Sequence, residues 1–266
     1  MLRSLKDLER CTVRATDGDI GKVMNFMLDD QHWTIRYMVA KTDGFFDERR
    51  VLISPVSLRL ADWSTRCLHV ALTRDKVRQS PKVDLNLPIS RRQERDYYRY
   101  YGYPYYWGYT GLWGMGAYPS WLAAGSWSGA AHVEDDTDIH LRSANEVRGY
   151  HIQGSDDAIG HIDDFVLDDE TWEVRYLVID TSNWGFGKKV LVAPHWTNFI
   201  SWEQRTAYIE LSRDEVKGSP EWNPSKPPSR EYEASLYGHY GRLAYWDDGE
   251  RPTRVLPARQ AMSSHR

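Results

Sequence analysis

Ile20-Gly21-Lys22-Val23-Met24-Asn25-Phe26-Met27-Leu28-Asp29-Asp30-Gln31-His32-Trp33-Thr34-Ile35-Arg36-Tyr37-Met38-Val39 decides the reading of this chain. Apolar and β-branched residues flank a cluster of turn formers, Asp29-Asp30-Gln31. The pattern is that of a strand, an Asp-rich turn and a second strand, an antiparallel hairpin. The stretch occurs twice. Moved along by 139 positions (from 20 to 159), Ile20-Gly21 falls on Ile159-Gly160 and Phe26 on Phe165. Leu28-Asp29-Asp30 falls on Leu167-Asp168-Asp169, Trp33 on Trp172, and Arg36-Tyr37 on Arg175-Tyr176.

The repeat extends in both directions without a gap. Leu2-Arg3-Ser4 matches Leu141-Arg142-Ser143, and Val51-Leu52 and Pro55 match Val190-Leu191 and Pro194. Arg74-Asp75 and Ser80-Pro81 match Arg213-Asp214 and Ser219-Pro220. About a third of the positions are identical, which establishes an internal duplication. The register runs on through Ser90-Arg91, Glu94, Tyr98, Tyr101-Gly102 and Tyr106-Trp107, matched by Ser229-Arg230, Glu233, Tyr237, Tyr240-Gly241 and Tyr245-Trp246. Each copy is therefore a module followed by a tail. Pro55 and Pro194 stop short strands, because proline cannot donate to a ladder. Ser90-x-x-Gln93 opens a helix as a capping box, and Gly102 or Gly241 ends one in a left-handed turn.

Closely spaced short strands favour closure, which removes exposed edges. The expectation is a mainly β protein: two small antiparallel β-barrels related by duplication, each followed by a short helical tail. Residues 1–81 form the first barrel, 82–107 its aromatic tail, and 108–139 a loosely ordered Gly/Trp/Tyr-rich, then acidic, linker. Residues 140–220 form the second barrel, 221–246 its tail, and 247–266 a disordered end.

Composition narrows the function. The chain has 266 residues, a formal net charge of −4, 12 Trp, 17 Tyr and only 6 Phe. Its 2 cysteines, Cys11 and Cys67, exclude a disulfide framework. Mean hydropathy is −0.65 and no apolar run approaches the roughly 20 residues needed to cross a bilayer, so no integral membrane segment is expected. The start lacks the apolar stretch of a secretory signal, which points to the cytoplasm. No nucleophile elbow, metalloprotease helix or phosphate loop is present. The expectation is a non-enzymatic chain with no catalytic residues and no cofactor.

The succession Ile20-Gly21-Lys22-Val23, Phe26 to Asp30, Trp33 to Val39 and Val51 to Pro55, with its second copy, resembles the PRC-barrel domain. That family includes the cytoplasmic domain of the photosynthetic reaction centre H subunit and the C-terminal domain of a ribosome maturation factor. The resemblance implies a barrel fold with no catalytic residues to transfer. It also implies two partner classes besides a general scaffold: a photosynthetic or membrane electron-transfer complex, to which the chain would be peripheral, and the ribosome.

Gly21 and Gly160 read as strand glycines at a bulge or corner, the alternative being close approach of a ligand. Asp29-Asp30 and Asp168-Asp169 read as turn residues; the alternative is a hard-cation site. His161 and Asp163 share a strand face and are the nearest approach to metal ligands. Arg36 and Arg175, beside Tyr37 and Tyr176, read as paired or stacked arginines, the alternative being an anion site. Tyr98, Tyr101, Trp107, Tyr237, Tyr240 and Trp246 are candidates for an interaction surface. Arg91, Arg92, Arg95 and Arg99 suggest a basic stacking surface, but Glu231 and Glu233 in the second copy and the acidic total argue against nucleic acid. Residues 1–81 carry 14 Lys+Arg against 11 Asp+Glu, whereas residues 140–220 carry 8 against 14. Opposite charge favours intramolecular docking of the copies, and a protein is the expected external partner.

Overall fold

The structure is a computed structural model and describes residues 1–42, 49–81, 87–124, 139–181 and 187–247. The first repeat comprises β1 (Leu2–Ser4), α1 (Leu5–Leu8), β2 (Thr12–Ala15), β3 (Gly18–Asp29), β4 (Thr34–Thr42), β5 (Arg50–Ile53), β6 (Leu58–Asp62), β7 (Cys67–Val70) and α2 (Arg74–Arg78). Then follow β8 (Ile89–Ser90), α3 (Arg91–Tyr101) and α4 (Pro119–Ala124). The second repeat comprises β9 (Ile139–Ser143), α5 (Ala144–Val147), β10 (His151–Gln153), β11 (Ala158–Asp168), β12 (Val174–Asp180) and β13 (Lys189–Val192). It ends with β14 (Thr197–Ser201), β15 (Thr206–Ile209), α6 (Arg213–Gly218) and α7 (Arg230–His239).

Local chemistry explains the punctuation. Thr73 and Ser212 cap α2 and α6, accepting from Lys76 N and Glu215 N. Ser90 and Gln93 close a reciprocal box on α3, and Gly102 ends that helix at φ 74°. Pro55 and Pro194 open one-turn 3-10 segments. Both copies show one strand order, β5-β4-β3-β2-β7-β6 and β13-β12-β11-β10-β15-β14.

Two expectations require correction. The sheets are not closed into barrels: β5 and β6, and likewise β13 and β14, remain ends of an open path among the described residues. Nor is every pair antiparallel, since β2–β7 and β10–β15 run parallel. The Pro55–Ser57 turn accounts for the first parallel pair, and Pro194–Trp196 for the second. The first turns a corner between β5 and β6 instead of reversing the chain, so β7 returns parallel to β2.

By contacts the chain divides into two units that do not follow the repeats. One is Met1–Val147 with Phe165–Arg175; the other is Arg148–Asp164 with Tyr176–Arg266. The tip of the second hairpin thus belongs to the first unit. There, Leu2, Arg3 and Ser4 of β1 pair with Asp168, Leu167 and Val166. Leu141, Arg142 and Ser143 of β9 pair with Asp29, Leu28 and Met27. The two registers are images of one another under the sequence repeat: the first strand of each copy adds to the long hairpin strand of the other. Ile35 N donates to Trp172 O (2.8 Å) and Val174 N to Trp33 O (2.7 Å), again a matched pair. Trp33 and Trp172 adopt left-handed backbone, φ 51° and 61°, which a buried ring at each hairpin tip must offset.

The first unit's core gathers Phe26, Ile35, Met38, Ile53, Leu68 and Leu141; the second unit's gathers Ile152, Ile162, Leu177, Leu191, Trp196 and Ala207. The loose-linker expectation fails for residues 108–124. Gly111 N donates to Gly114 O and Trp113 N to Gly116 O, and Trp113 is 1% exposed with its indole N–H donating to Thr171 O at 2.8 Å. Glycine serves close packing there, since a Cβ on Gly116 would lie 2.4 Å from the Trp121 ring. The acidic part of the linker and the expected C-terminal tail beyond Asp247 lie outside the described residues.

Gly21 provides a sharp test. A Cβ there would sit 1.8 Å from Lys41 O, and on Gly160 2.1 Å from Asp180 O, both rigid backbone atoms. Gly21→Ala is expected to cost about 3 kcal/mol through this overpacking. Gly102→Ala meets nothing within 4 Å and carries only the left-handed penalty, about 1 kcal/mol. Urea unfolding of the two variants distinguishes the mechanisms.

Candidate functional site

The repeated polar residues converge on buried ion pairs. Asp29 Oδ1 accepts from Gln31 N and His32 N, each at 3.0 Å, which closes the hairpin turn. Asp168 does the same for Glu170 N at 3.0 Å. The second carboxylate of each pair takes the arginine of the exchanged strand: Arg142 Nε to Asp30 Oδ2 at 3.2 Å, and Arg3 Nε to Asp169 Oδ2 at 2.7 Å.

In the first unit these contacts extend into a clasp. Arg36, 1% exposed, donates Nε and Nη2 to Asp29 Oδ2 at 2.9 and 2.7 Å and Nη1 to Leu112 O. Its guanidinium lies 3.8 Å from the Tyr106 ring centroid and 4.9 Å from that of Trp113. Glu94 of α3 accepts from Tyr37 and Tyr106 hydroxyls at 3.0 and 2.9 Å, and lies 2.8 Å from Arg91 Nη1 and 3.0 Å from His140 Nε2. The second unit keeps part of this plan. Tyr176 and Tyr245 donate to Glu233 at 2.7 and 3.0 Å, and Arg230 lies 3.2 Å away. Each tail helix is thus tied to a tyrosine of its own repeat, and the first also reaches His140 of β9.

Burial withdraws four of the six candidate aromatic residues from the surface. Tyr98, Trp107, Tyr237 and Tyr240 are buried, and Tyr101 and Trp246 are half-buried. These rings form edge-to-face clusters beneath the tails: Tyr98 lies 5.4 Å from Trp107, and Trp196 lies 4.9 Å from Tyr240. Some of these hydroxyls are satisfied inside, as when Tyr97 donates to Leu52 O at 3.2 Å, whereas among the described residues those of Tyr98, Tyr101 and Tyr240 meet no hydrogen-bond partner. Arg91 is likewise buried against Glu94 rather than presented to a nucleic acid.

The other candidates are placed as follows. Arg175 pairs with Glu173 at 2.8 Å, so the two repeated arginines have different partners. Asp163 is engaged by Lys189 Nζ at 2.6 Å, and His161 is half-buried beside it on β11. Among the described residues no group of three or more His, Cys, Asp or Glu is disposed to hold a metal ion, and no helix is long and apolar enough to cross a membrane.

The clasp titrates. Burial and the Asp29 charge push Asp30 up to about 7, against the pull of Arg142. Burial depresses His140, but Glu94 and Asp29 outweigh it and hold the imidazole above its ordinary value. Burial would raise Asp29, yet Arg36, His32 and His140 hold it well below the usual range; Glu94 is lowered by His140 and Arg91 in the same way. Asp30 and His140 bind protons more tightly folded than unfolded, so stability declines as pH rises from about 4 through 7 and beyond. Asp29 and Glu94 act oppositely, and their contribution is lost as pH falls below about 4.5. Thermal unfolding of the intact chain should therefore be most resistant near about pH 5, and Asp30→Asn should flatten the limb between about pH 4 and 7. Arg36→Ala leaves Asp29 uncompensated and should cost about 3–5 kcal/mol by denaturant unfolding.

Comparison with known families matches the PRC-barrel domain to residues 2–78 and 140–216. No curated protein matches the chain. The two matched segments coincide with the halves of the exchange and cover more than half of the sequence. The chain belongs to the PRC-barrel domain family, which it carries in tandem.

Proposed function

We propose that the chain is a non-enzymatic scaffold in which a fused pair of PRC-barrel repeats presents a protein-binding surface to another macromolecule. The observation that carries this reading is the fate of the shared residues. Leu-Arg-Ser, Asp-Asp, Trp, Arg and Tyr are spent on strand register, turns and buried ion pairs, and such neutralised groups are positioned to build shape and not to move protons on a substrate. The reciprocal registers support a further step: fusion replaced a homodimer in which two single-repeat chains exchanged first strands.

With the tail rings buried, the exposed aromatic surface moves to the former linker. Met115 is 62% exposed and Trp121 58%, with the Tyr118 ring 5.7 Å from that of Trp121. Leu122, 1% exposed, anchors α4 beneath them. A tryptophan held in place on a rigid base is the kind of residue that dominates binding energy. Deleting residues 108–138 would remove Trp113 from the core and confound the test, so point changes are required. Trp121→Ser with Met115→Ser should lower stability only slightly, through the lost contact of the Trp121 ring with Gly116, and weaken capture of the partner from native cells by about thirtyfold or more. Undiminished capture would overturn this surface.

A further inference from the structure

The repeats diverge at one cross-strand pair. In the first, Arg14 of β2 stands opposite Asp19 of β3, with Nε–Oδ1 at 2.5 Å and Nη2–Oδ2 at 3.2 Å. His69 of β7 flanks Arg14 on its other side. In the second repeat the same register sets Gln153 of β10 between Ala158 of β11 and Tyr208 of β15. Both ionic side chains are gone. In the second unit a hollow of about 430 Å³ occupies their place, lined by Gln153, Asp157, Ala158, Tyr208 and Arg213 among others.

A carboxylate remains, shifted by one residue. Asp157 stands where the first repeat has Gly18. Its Oδ1 accepts from Ala158 N at 2.7 Å and its Oδ2 pairs with Arg213, yet its side chain is 59% exposed and retains acceptor capacity. The Tyr208 ring is fixed by stacking on Phe199 at 4.4 Å, and its hydroxyl is engaged by Gln204 at 2.9 Å. The part of the repeat that lies in this unit, residues 148–164 and 176–220, carries 6 Lys+Arg against 9 Asp+Glu, so its field favours a cation.

We propose that this hollow is a socket for the guanidinium of an arginine carried by the partner protein, restoring across an interface the pair that Arg14 and Asp19 make within the first repeat. The proposal rests on the scaffold reading and names the chemistry of its partner. Arginine fits better than lysine: its planar fork binds a carboxylate through two donors while its face lies on an aromatic ring.

The probe is a short arginine-rich peptide, compared with its lysine counterpart and with inorganic phosphate, on the full chain. Binding is followed by calorimetry and by amide resonances of His151, Gln153 and Tyr208. The arginine peptide should bind at least about tenfold tighter than the lysine peptide and shift those resonances. Gln153→Arg with Ala158→Asp rebuilds the first repeat's filling pair, so it should fold and lose the interaction. Should that variant fail to fold, Asp157→Asn should weaken peptide binding about tenfold on its own. Equal binding of both peptides, shifts produced by phosphate instead, or full binding by the filled variant would each overturn the socket. Native partner capture that survives filling but fails with Trp121→Ser would sink the socket and leave the scaffold reading standing.

Discussion

An arginine on a borrowed strand, held by an aspartate at the tip of a hairpin, is the contact on which the first unit depends. Arg142 meets Asp30 and Arg3 meets Asp169, and each contact fastens the opening strand of one repeat to the long hairpin of the other. Backbone ladders alone specify register weakly, because a short strand can slip. A half-buried charge pair on such a strand makes any slip costly, since it would leave a carboxylate poorly hydrated and without its partner. The neighbouring aspartate ties down the turn itself, so two adjacent carboxylates divide the work of shape and attachment.

The two attachments have diverged. In the first unit the attachment joins a continuous buried network from Asp29 and Arg36 through Tyr106 to Glu94, Arg91 and His140. At the equivalent of His140 the other attachment has Met1, whose terminal ammonium lies 2.6 Å from Asp169 Oδ1. Fusion allowed this divergence: once the copies share one chain, neither hairpin must accept a strand identical to its own.

Much of the architecture was legible because it depends on local chemistry. The hairpin at Asp29-Asp30, the Ser90-Gln93 box, the Gly102 stop and the proline corners are all readable from residues a few positions apart. The exchange was not, since a period-two pattern specifies a strand's faces and not its neighbour. The clue was present in a repeated Leu-Arg-Ser and a repeated Asp-Asp, but pairing them needs long-range geometry. Burial of the tyrosines was missed for a related reason. Ring and hydroxyl carry opposite signals, and only the location of Glu94, Glu233 and the Leu52 carbonyl shows that the hydroxyls can be satisfied inside. The linker misled because glycine beside tryptophan signals looseness in composition and tight stacking in space.

The exchange also orders events during synthesis. The first repeat's hairpin emerges from the ribosome long before Leu141-Arg142-Ser143, the segment that pairs with it at Met27 to Asp29. Until then that stretch of β3 lacks a neighbour on one side, and Asp30 lacks Arg142. The nascent chain must carry an unfinished edge through the translation of about a hundred further residues, a window in which a chaperone or a twin chain on the same messenger can seize it.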